Sequence, residues 1–412
     1  MKKYPKYKPS NIEWIGEIPE HWEVKVLKRL AKICNGQDHK NVWDANGQFP
    51  IIGTGGTFGY TNSYLHQGPS VILGRKGTID KPQYMEAPFW SVDTAYYTDI
   101  FPSTNPRYFY HLCNTINFEL YKYGSAVPSM SQEILNKIPF AIPSDLDEQT
   151  EIAVYLDRKT TEIDQLIDEK KLLIFNYEEE KIAIIINAVT KGIKKTKLKK
   201  SENEWLGEIP THWQTVSLKW VANIYSGGTP SKNNTEFWTN GTIPWLNSGT
   251  VNQFFITEVS EYISEEGFKN SSAKWIPNES IVIALAGQGK TKGMVAQVMF
   301  DCTCNQSLGV IVPNKKIYNK FLLYYLKANY QNIRNLGGGD NRDGINLEMI
   351  GSIKIPLLPI EEQLEIVSFI EENCGFIDLK INKTKKLIKL LAEYRFALIS
   401  EVVTGKIKVI DG

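Results

Sequence analysis

The chain has 412 residues, of which 42% are hydrophobic and 23% charged, and its formal net charge is +1. Those values fit a globular protein with two or three domains and real cores, and exclude a disordered chain. A near-neutral total also excludes a uniformly basic coating, although a nucleic-acid footprint needs only a local patch.

Along the chain, the first landmark is WIGEIPEHW, from Trp14 to Trp22. The residues that follow, to about 146, mix short apolar runs with many Gly, Pro and Asn turns. GTGGTFG, from Gly53 to Gly59, lacks the helix that a dinucleotide site needs and reads as a hairpin or loop. Ser70–Leu73 (SVIL) reads as a buried strand that ends in the turn GRKG. Pro106 starts a helix with Tyr108, Phe109, Leu112, Cys113 and Ile116 at helical spacing.

From Glu148 to Val189 the texture changes, because no Pro or Gly occurs. Ile152, Leu156, Ile163, Leu166 and Leu173 recur in steps of three, four and seven, which predicts a long amphipathic helix with a coiled-coil-like seam. The lysine-rich KGIKKTKLKK, Lys191–Lys200, reads as a solvated linker or as phosphate contacts beside a DNA channel.

WLGEIPTHW, from Trp205 to Trp213, then repeats the first landmark at an offset of 191 residues. A second mixed block runs to about 359. Ile366, Ile370, Ile377, Leu387 and Leu391 mark a second long helix, with Gly375 as a candidate bend. EQTEIAVYLD at Glu148 faces EQLEIVSFIE at Glu362, and VTKG at Val189 faces VTGK at Val403, both at an offset of 214. The chain is therefore two related modules in tandem. The growth in offset places about 23 extra residues inside the second module.

The expected fold class is mixed α/β (α+β), with an internal pseudo-twofold repeat. Residues 1–146 form the first globular domain, and 147–200 the first long helix with its basic linker. Residues 201–359 form the second domain, and 360–412 the second long helix. Two matched stripes bury each other most economically as an antiparallel two-helix coiled-coil spacer. Such a rod would hold the domains roughly 40 to 60 Å apart, a distance suited to successive DNA grooves about 34 Å apart.

Signatures of catalytic chemistry are few. AGQGKT, Ala286–Thr291, follows a strand, but a phosphate-binding loop needs glycine at position 284, where Ala stands. NPRY, Asn105–Tyr108, lacks the second proline of an amino-methyltransferase motif. The five histidines do not cluster, and His21 and His212, each beside a repeated Trp, suit structural or interface roles. Cys34, Cys113, Cys302, Cys304 and Cys374 are odd in number and irregular in spacing, as in a reducing compartment. Cys302 and Cys304 read as buried strand positions, not as a zinc site. The N-terminus has no apolar signal core and no run is long enough to span a bilayer. The expectation is a cytoplasmic chain with no catalytic residues, no cofactor, no metal and no membrane contact.

Binding residues remain. The turn after the first buried strand carries Arg75, Lys76, Thr78 and Lys81, and the comparable turn of the second module carries Gln288, Lys290, Thr291 and Lys292. A second polar loop, GGGDNRDG, contributes Asn341 and Arg342, and its first-module counterpart is KYGSAVPSM, Lys122–Met130. These donors suit phosphates and base edges. The loops differ most between modules, as expected if each head reads a different sequence.

Together these features resemble the specificity subunit of a Type I restriction-modification enzyme. The resemblance rests on the paired W-x-G-x-I-P-x-H-W openings, on VILGRKGTI and ALAGQGKTKG, and on CNQSLGVIVP from Cys304. It also rests on the IP…EQ-x-EI segments from Ile138 and Ile355 and on the exits at Val189 and Val403. It implies two target recognition domains that read the halves of a bipartite, asymmetric duplex DNA sequence, with the helices fixing the gap. It implies two methyltransferase subunits and, in the full complex, two ATP-dependent restriction subunits. Adenine methylation and cleavage would belong to those partners. The alternative is a protein assembly scaffold without DNA readout.

Overall fold

A computed structural model describes residues 2–124, 127–259, 261–287, 289–337 and 344–409. It contains eight α-helices among those residues: α1 (Pro106–Cys113), α2 (Gln132–Lys137), α3 (Leu146–Lys191), α4 (Glu265–Lys269), α5 (Asn319–Ala328), α6 (Tyr330–Asn335), α7 (Leu347–Ser352) and α8 (Ile360–Val403). The chain divides into two compact units, residues 1–172 with 384–412, and residues 173–383. Each unit therefore owns part of α3 and part of α8.

Unit 1 carries β1 (Tyr7–Pro9), β2 (Glu17–Pro19), β3 (Trp22–Val26), β4 (Ala31–Asn35), β5 (Phe49–Gly53), β6 (Gly56–Thr61), β7 (Ser70–Gly74), β8 (Gln83–Met85), β9 (Trp90–Ser91), β10 (Ala95–Ile100) and β11 (Pro139–Pro143). Its sheets run β4-β10-β7-β8 and β6-β5-β9, with two pairs, β1–β2 and β11–β3. All of β7 is buried because both of its faces are covered. Val71 and Leu73 join the main core with Leu27 and Phe109, and Ile72 packs with Ile52, Phe89 and Ala95 on the other side. That double burial explains the unbroken apolar run. At the start of α1 the Asn105 side chain accepts from Tyr108 N at 3.0 Å, and Pro106 fills the first helical position.

Unit 2 carries β12 (Leu198–Lys200), β13 (Glu208–Pro210), β14 (Gln214–Ser217), β15 (Ala222–Ser226), β16 (Ile243–Leu246), β17 (Phe255–Ile256), β18 (Glu261–Ile263), β19 (Ile281–Ala284), β20 (Val295–Val298), β21 (Thr303–Cys304), β22 (Leu308–Pro313) and β23 (Lys354–Leu357). Its sheets run β15-β22-β19-β20-β17 and β18-β16-β21, with pairs β12–β13 and β14–β23. The order repeats unit 1. Even the short parallel pair recurs, β5 with β9 and β16 with β21. Register is kept too, since Pro50 faces Tyr60 and Pro244 faces Tyr262. Most of the added length falls between β16 and β19, in residues 247–280, where β17, β18 and α4 lie. The corresponding stretch of unit 1, 54–69, holds only β6.

Within unit 1, Ile152, Leu156 and Ile163 of α3 share a core with Leu398, Ile399 and Val402 of α8. Arg395 reaches back to Asp164 through both carboxylate oxygens, at 2.9 and 3.1 Å. Within unit 2, Ile185 and Val189 share a core with Ile366 and Ile370, and Lys181 pairs with Asp378 at 2.6 Å. In each unit the two helix segments run antiparallel. The expected seam needs correction at Leu166 and Leu387, which are 42% and 41% exposed, while Leu173 and Leu391 are partly buried. A stripe of 3.6-residue period drifts around the helix, so Ile167 packs on the unit 1 core beside Leu166, and Ile381 is buried four residues beyond Ile377. The α8 helix runs unbroken through Gly375. The lysine-rich segment is more than a linker. Leu198–Lys200 forms β12, Lys194 pairs with Glu365, and the Lys199 ammonium donates to the carbonyls of Thr211 (2.9 Å) and Trp213 (2.7 Å).

Candidate nucleic-acid interface

In unit 1 the turn that follows β7 is tied by backbone bonds to its neighbours. Lys76 N donates to Thr94 O at 3.1 Å, Gly77 N to Pro128 O at 2.9 Å, and Met130 N to Arg75 O at 2.9 Å. The Gln83 side-chain amide donates to Gly53 O at 2.9 Å and Thr54 O at 3.3 Å, which pins the β5–β6 hairpin turn beside it. Three segments therefore share one edge of the head: the GTGGT hairpin, the GRKGT turn and the loop that ends at Met130. Gly77 adopts φ +87°, which a residue with a side chain rarely takes.

The four candidates there play unequal parts. Arg75 is half-buried, donates to Asp93 O at 3.2 Å and lies 5.9 Å from the Tyr96 ring centre. Lys76 and Lys81 are exposed, and Thr78 is partly buried. Neither lysine has an ion-pair partner among the described residues.

Unit 2 builds the same edge from different residues. Ile345 N donates to Leu285 O at 2.8 Å, so the turn after β19 again lies beside the end of the divergent loop. Lys290 is exposed, and its carbonyl accepts from the Tyr330 hydroxyl at 2.6 Å. Thr291 is partly buried. Lys292 is 2% exposed, which corrects its reading as a surface donor. Gly293, at φ +83°, lies against the Arg334 backbone, and the chain turns inward there. Gln288, Asn341 and Arg342 lie outside the described residues.

Beside this edge sits a largely apolar cavity of about 510 Å³, walled by Ile182, Ile185, Phe254, Met294, Lys327 and Tyr330. The Lys327 ammonium stands 3.9 Å from the Phe254 ring centre. Burial holds its pKa below the ordinary lysine value, and Lys181 adds to that. Sequence reasoning missed Lys327, Tyr330 and Phe254, because nothing in their spacing links them to the turn.

Behind each edge the three repeated motifs meet. In unit 1, Glu148 at the start of α3 accepts from the Tyr4 hydroxyl (2.8 Å) and Trp22 Nε1 (3.0 Å), and its other oxygen lies 2.9 Å from His21 Nε2. Burial, and then the bond to Glu148, push the Tyr4 phenol well above its ordinary pKa. Gly405, at φ +74°, packs its backbone against Pro19 and Trp22. In unit 2, Glu362 accepts from Trp213 Nε1 at 3.1 Å and lies 3.0 Å from His212 Nε2. Gly192, at φ +72°, packs on the same Trp213. The neighbouring glutamines make a second tie. Gln149 accepts from Asn105 N at 2.8 Å and donates to Pro143 O at 3.0 Å. Gln363 accepts from Tyr318 N at 2.7 Å and donates to Leu358 O at 2.8 Å and Lys316 O at 3.1 Å. A third tie joins α1 to α3 through Arg107 and Asp157 (3.5 Å), and α5 to α8 through Lys320 and Glu371 (2.7 Å). The signal for this constellation was in the sequence, since H-W and E-Q both recur, but nothing there showed that they touch.

Among the described residues no group of three or more His, Cys, Asp or Glu side chains is placed to hold a metal ion. No described helix is long and apolar enough to cross a membrane. Two heads of one topology, each offering a lysine-bearing turn beside a loop of its own, define a tandem binding protein. The chain belongs to the family described as the Type I restriction modification DNA specificity domain, whose model matches residues 19–174 and 210–390. It is a specificity subunit of a Type I restriction-modification system, a DNA-target-recognising chain that is not itself an enzyme.

The chain is 27% identical over 384 residues to the EcoR124I/EcoR124II specificity subunit of Escherichia coli, covering 88% of this chain and 86% of that one. It is 26% identical to the putative MjaX specificity subunit of Methanocaldococcus jannaschii, covering 98% of both. Among solved structures, a chain from a study of type I restriction-modification complex assembly superposes with a TM-score of 0.72 at 13% identity. That match covers 95% of this chain and 99% of the other. The HsdS subunit from Thermoanaerobacter tengcongensis gives 0.54 at 15% identity, with 95% and 98% covered. At such identities the likeness speaks for the fold.

Proposed function

We propose that each head reads one half of a bipartite, asymmetric duplex DNA target, and that residues 1–146 and 201–359 are the two target recognition domains. Lys76, Thr78 and Lys81 contact DNA from the first head, and Lys290, Thr291, Gln288, Asn341 and Arg342 from the second. Arg75 shapes its turn more than it reaches out. Residues 147–200 and 360–412, with the long helices α3 and α8, set the gap and bridge two methyltransferase subunits. Two restriction subunits complete the cleaving complex, and the setting is cytoplasmic.

The observation that carries this reading is the contrast inside the repeat. The strand order and the Glu–His–Trp contacts recur in both units, whereas the turns and loops at the exposed edge differ in sequence and length. A conserved frame under unlike edges suits one scaffold that reads two unlike sequences. The test is a map of methylated adenines in cells that hold the methyltransferase partner, with and without this gene. A gene-dependent motif with two unlike halves and a fixed gap is expected. Methylation that ignores this gene would defeat the proposal and favour an assembly scaffold.

A further inference from the structure

We infer that Glu148 and Glu362 are positioning residues, each of which sets the aim of one head on its own half-site. The inference rests on the DNA-reading proposal above.

Glu148 stands in the first turn of α3, and the donors it gathers come from elsewhere: Tyr4 from the N-terminal segment, His21 from just before β3 and Trp22 from its first position. Trp22 is fully buried and also touches the turn at Gly405 that ends α8. One carboxylate thus joins three pieces: the head, the start of one long helix and, through Trp22, the end of the other. Glu362 does the same in unit 2 with His212, Trp213 and the α3 terminus at Gly192. Hydrogen bonds to a charged acceptor are the stronger kind, and a helix N-terminus favours the carboxylate further.

The other two ties, through the glutamines and through Asp157 and Glu371, attach each head further along its chain. Removing the glutamate leaves the head fastened by those ties and by the apolar core it shares with the helix segments, but with its angle less closely held. A tilted head meets its bases out of line, so discrimination falls for that half-site while the other head, held by its own glutamate, reads as before. The two sites are also built unequally. Tyr4 adds a third donor in unit 1, and the two donors of Glu362 described above leave unit 2 without that contact. Removal of the Tyr4 hydroxyl alone is therefore a graded perturbation.

The experiment uses the full chain assembled with its methyltransferase subunit and duplex oligonucleotides that carry the mapped target. The panel has single base changes in either half-site and a gap one base pair longer. Glu148→Ala should lower discrimination about tenfold against changes in the first half-site and against the longer gap. It should leave the second half-site unaffected, and Glu362→Ala should do the converse. Glu148→Gln should restore most of the loss, because its oxygen still accepts from Tyr4 and Trp22 and its amide can donate to a neutral His21. Should Glu148→Ala fail to fold, Tyr4→Phe gives a smaller shift in the same half-site. Equal loss at both half-sites, or full discrimination by a folded Glu148→Ala complex, would overturn the inference while leaving DNA reading intact. A wild-type complex with no sequence preference would overturn both.

Discussion

Gln363 is 0% exposed and makes three hydrogen bonds, to Tyr318 N at 2.7 Å, Leu358 O at 2.8 Å and Lys316 O at 3.1 Å. Gln363→Met keeps the length and volume of the side chain and removes all three bonds. At roughly 1 kcal/mol net for each, the loss is about 3 kcal/mol. Gln363→Ala adds a cavity and costs about 4 to 5 kcal/mol. The bonds fix the approach to α5, so the effect should appear as local opening. The assay is amide hydrogen exchange followed by mass spectrometry on the full chain. Exchange in the α5 amides from Leu322 to Ala328 should quicken on the order of a hundredfold in Gln363→Met. The matched amides of α1 in unit 1 should hold their rate, because Gln149 is untouched. An unchanged rate in α5, or an equal change in α1, would refute the claim that this glutamine docks the α5 helix.

Three other outcomes follow from particular residues. Lys76→Ala and Lys81→Ala should each weaken DNA binding at every sequence and reduce the slope of log affinity against log salt by about one, measured by titration at several salt concentrations. Gly405→Ala forces a β-carbon to 2.3 Å from Pro19 Cδ at φ +74°, whereas Gly207→Ala, at φ +57°, meets open space. The first should cost about 3 kcal/mol or more and the second about 1 to 2 kcal/mol in chemical denaturation. Burial raises the Asp157 pKa, but the His111 hydrogen bond and the charges of His111 and Arg107 outweigh it and leave the pKa below its ordinary value of 3.8. A depressed acid stabilises the folded state fully above the unfolded value and loses that contribution as pH falls through the folded one. Unit 1 should therefore weaken as pH drops below about 4, and Asp157→Asn should flatten that part of the stability–pH curve.

The strands and helices that proved legible have local causes. The SVIL segment was readable because both faces of β7 are buried, and α1 because Asn105 and Pro106 mark its start. The long helices were readable from sustained periodicity, free of Pro and Gly in α3 and interrupted only by Gly375 in α8. Which flank of each stripe faces its partner was not readable, since Leu166 and Ile167 differ only by rotation about the axis. Lys292 shows the same limit at the candidate site. Its composition matches an exposed turn, yet it is buried where Gly293 packs on the Arg334 backbone. His21 and His212 suit structural roles from their place in the repeat, but the glutamates they meet lie far off in the chain, 127 positions away for His21 and Glu148.

The partition of the two units also has a consequence for how the molecule is made. Unit 2 is one continuous stretch, residues 173–383, whereas unit 1 needs residues 384–412 to be complete. Domains usually finish in the order in which they leave the ribosome. Here the head that emerges first waits longest. Until the last segment arrives, Ile152, Leu156 and Ile163 lack the cover of Leu398, Ile399 and Val402. A premature stop in the last turns of α8 would thus strike the beginning of the protein, leaving its second head whole and its first unsealed.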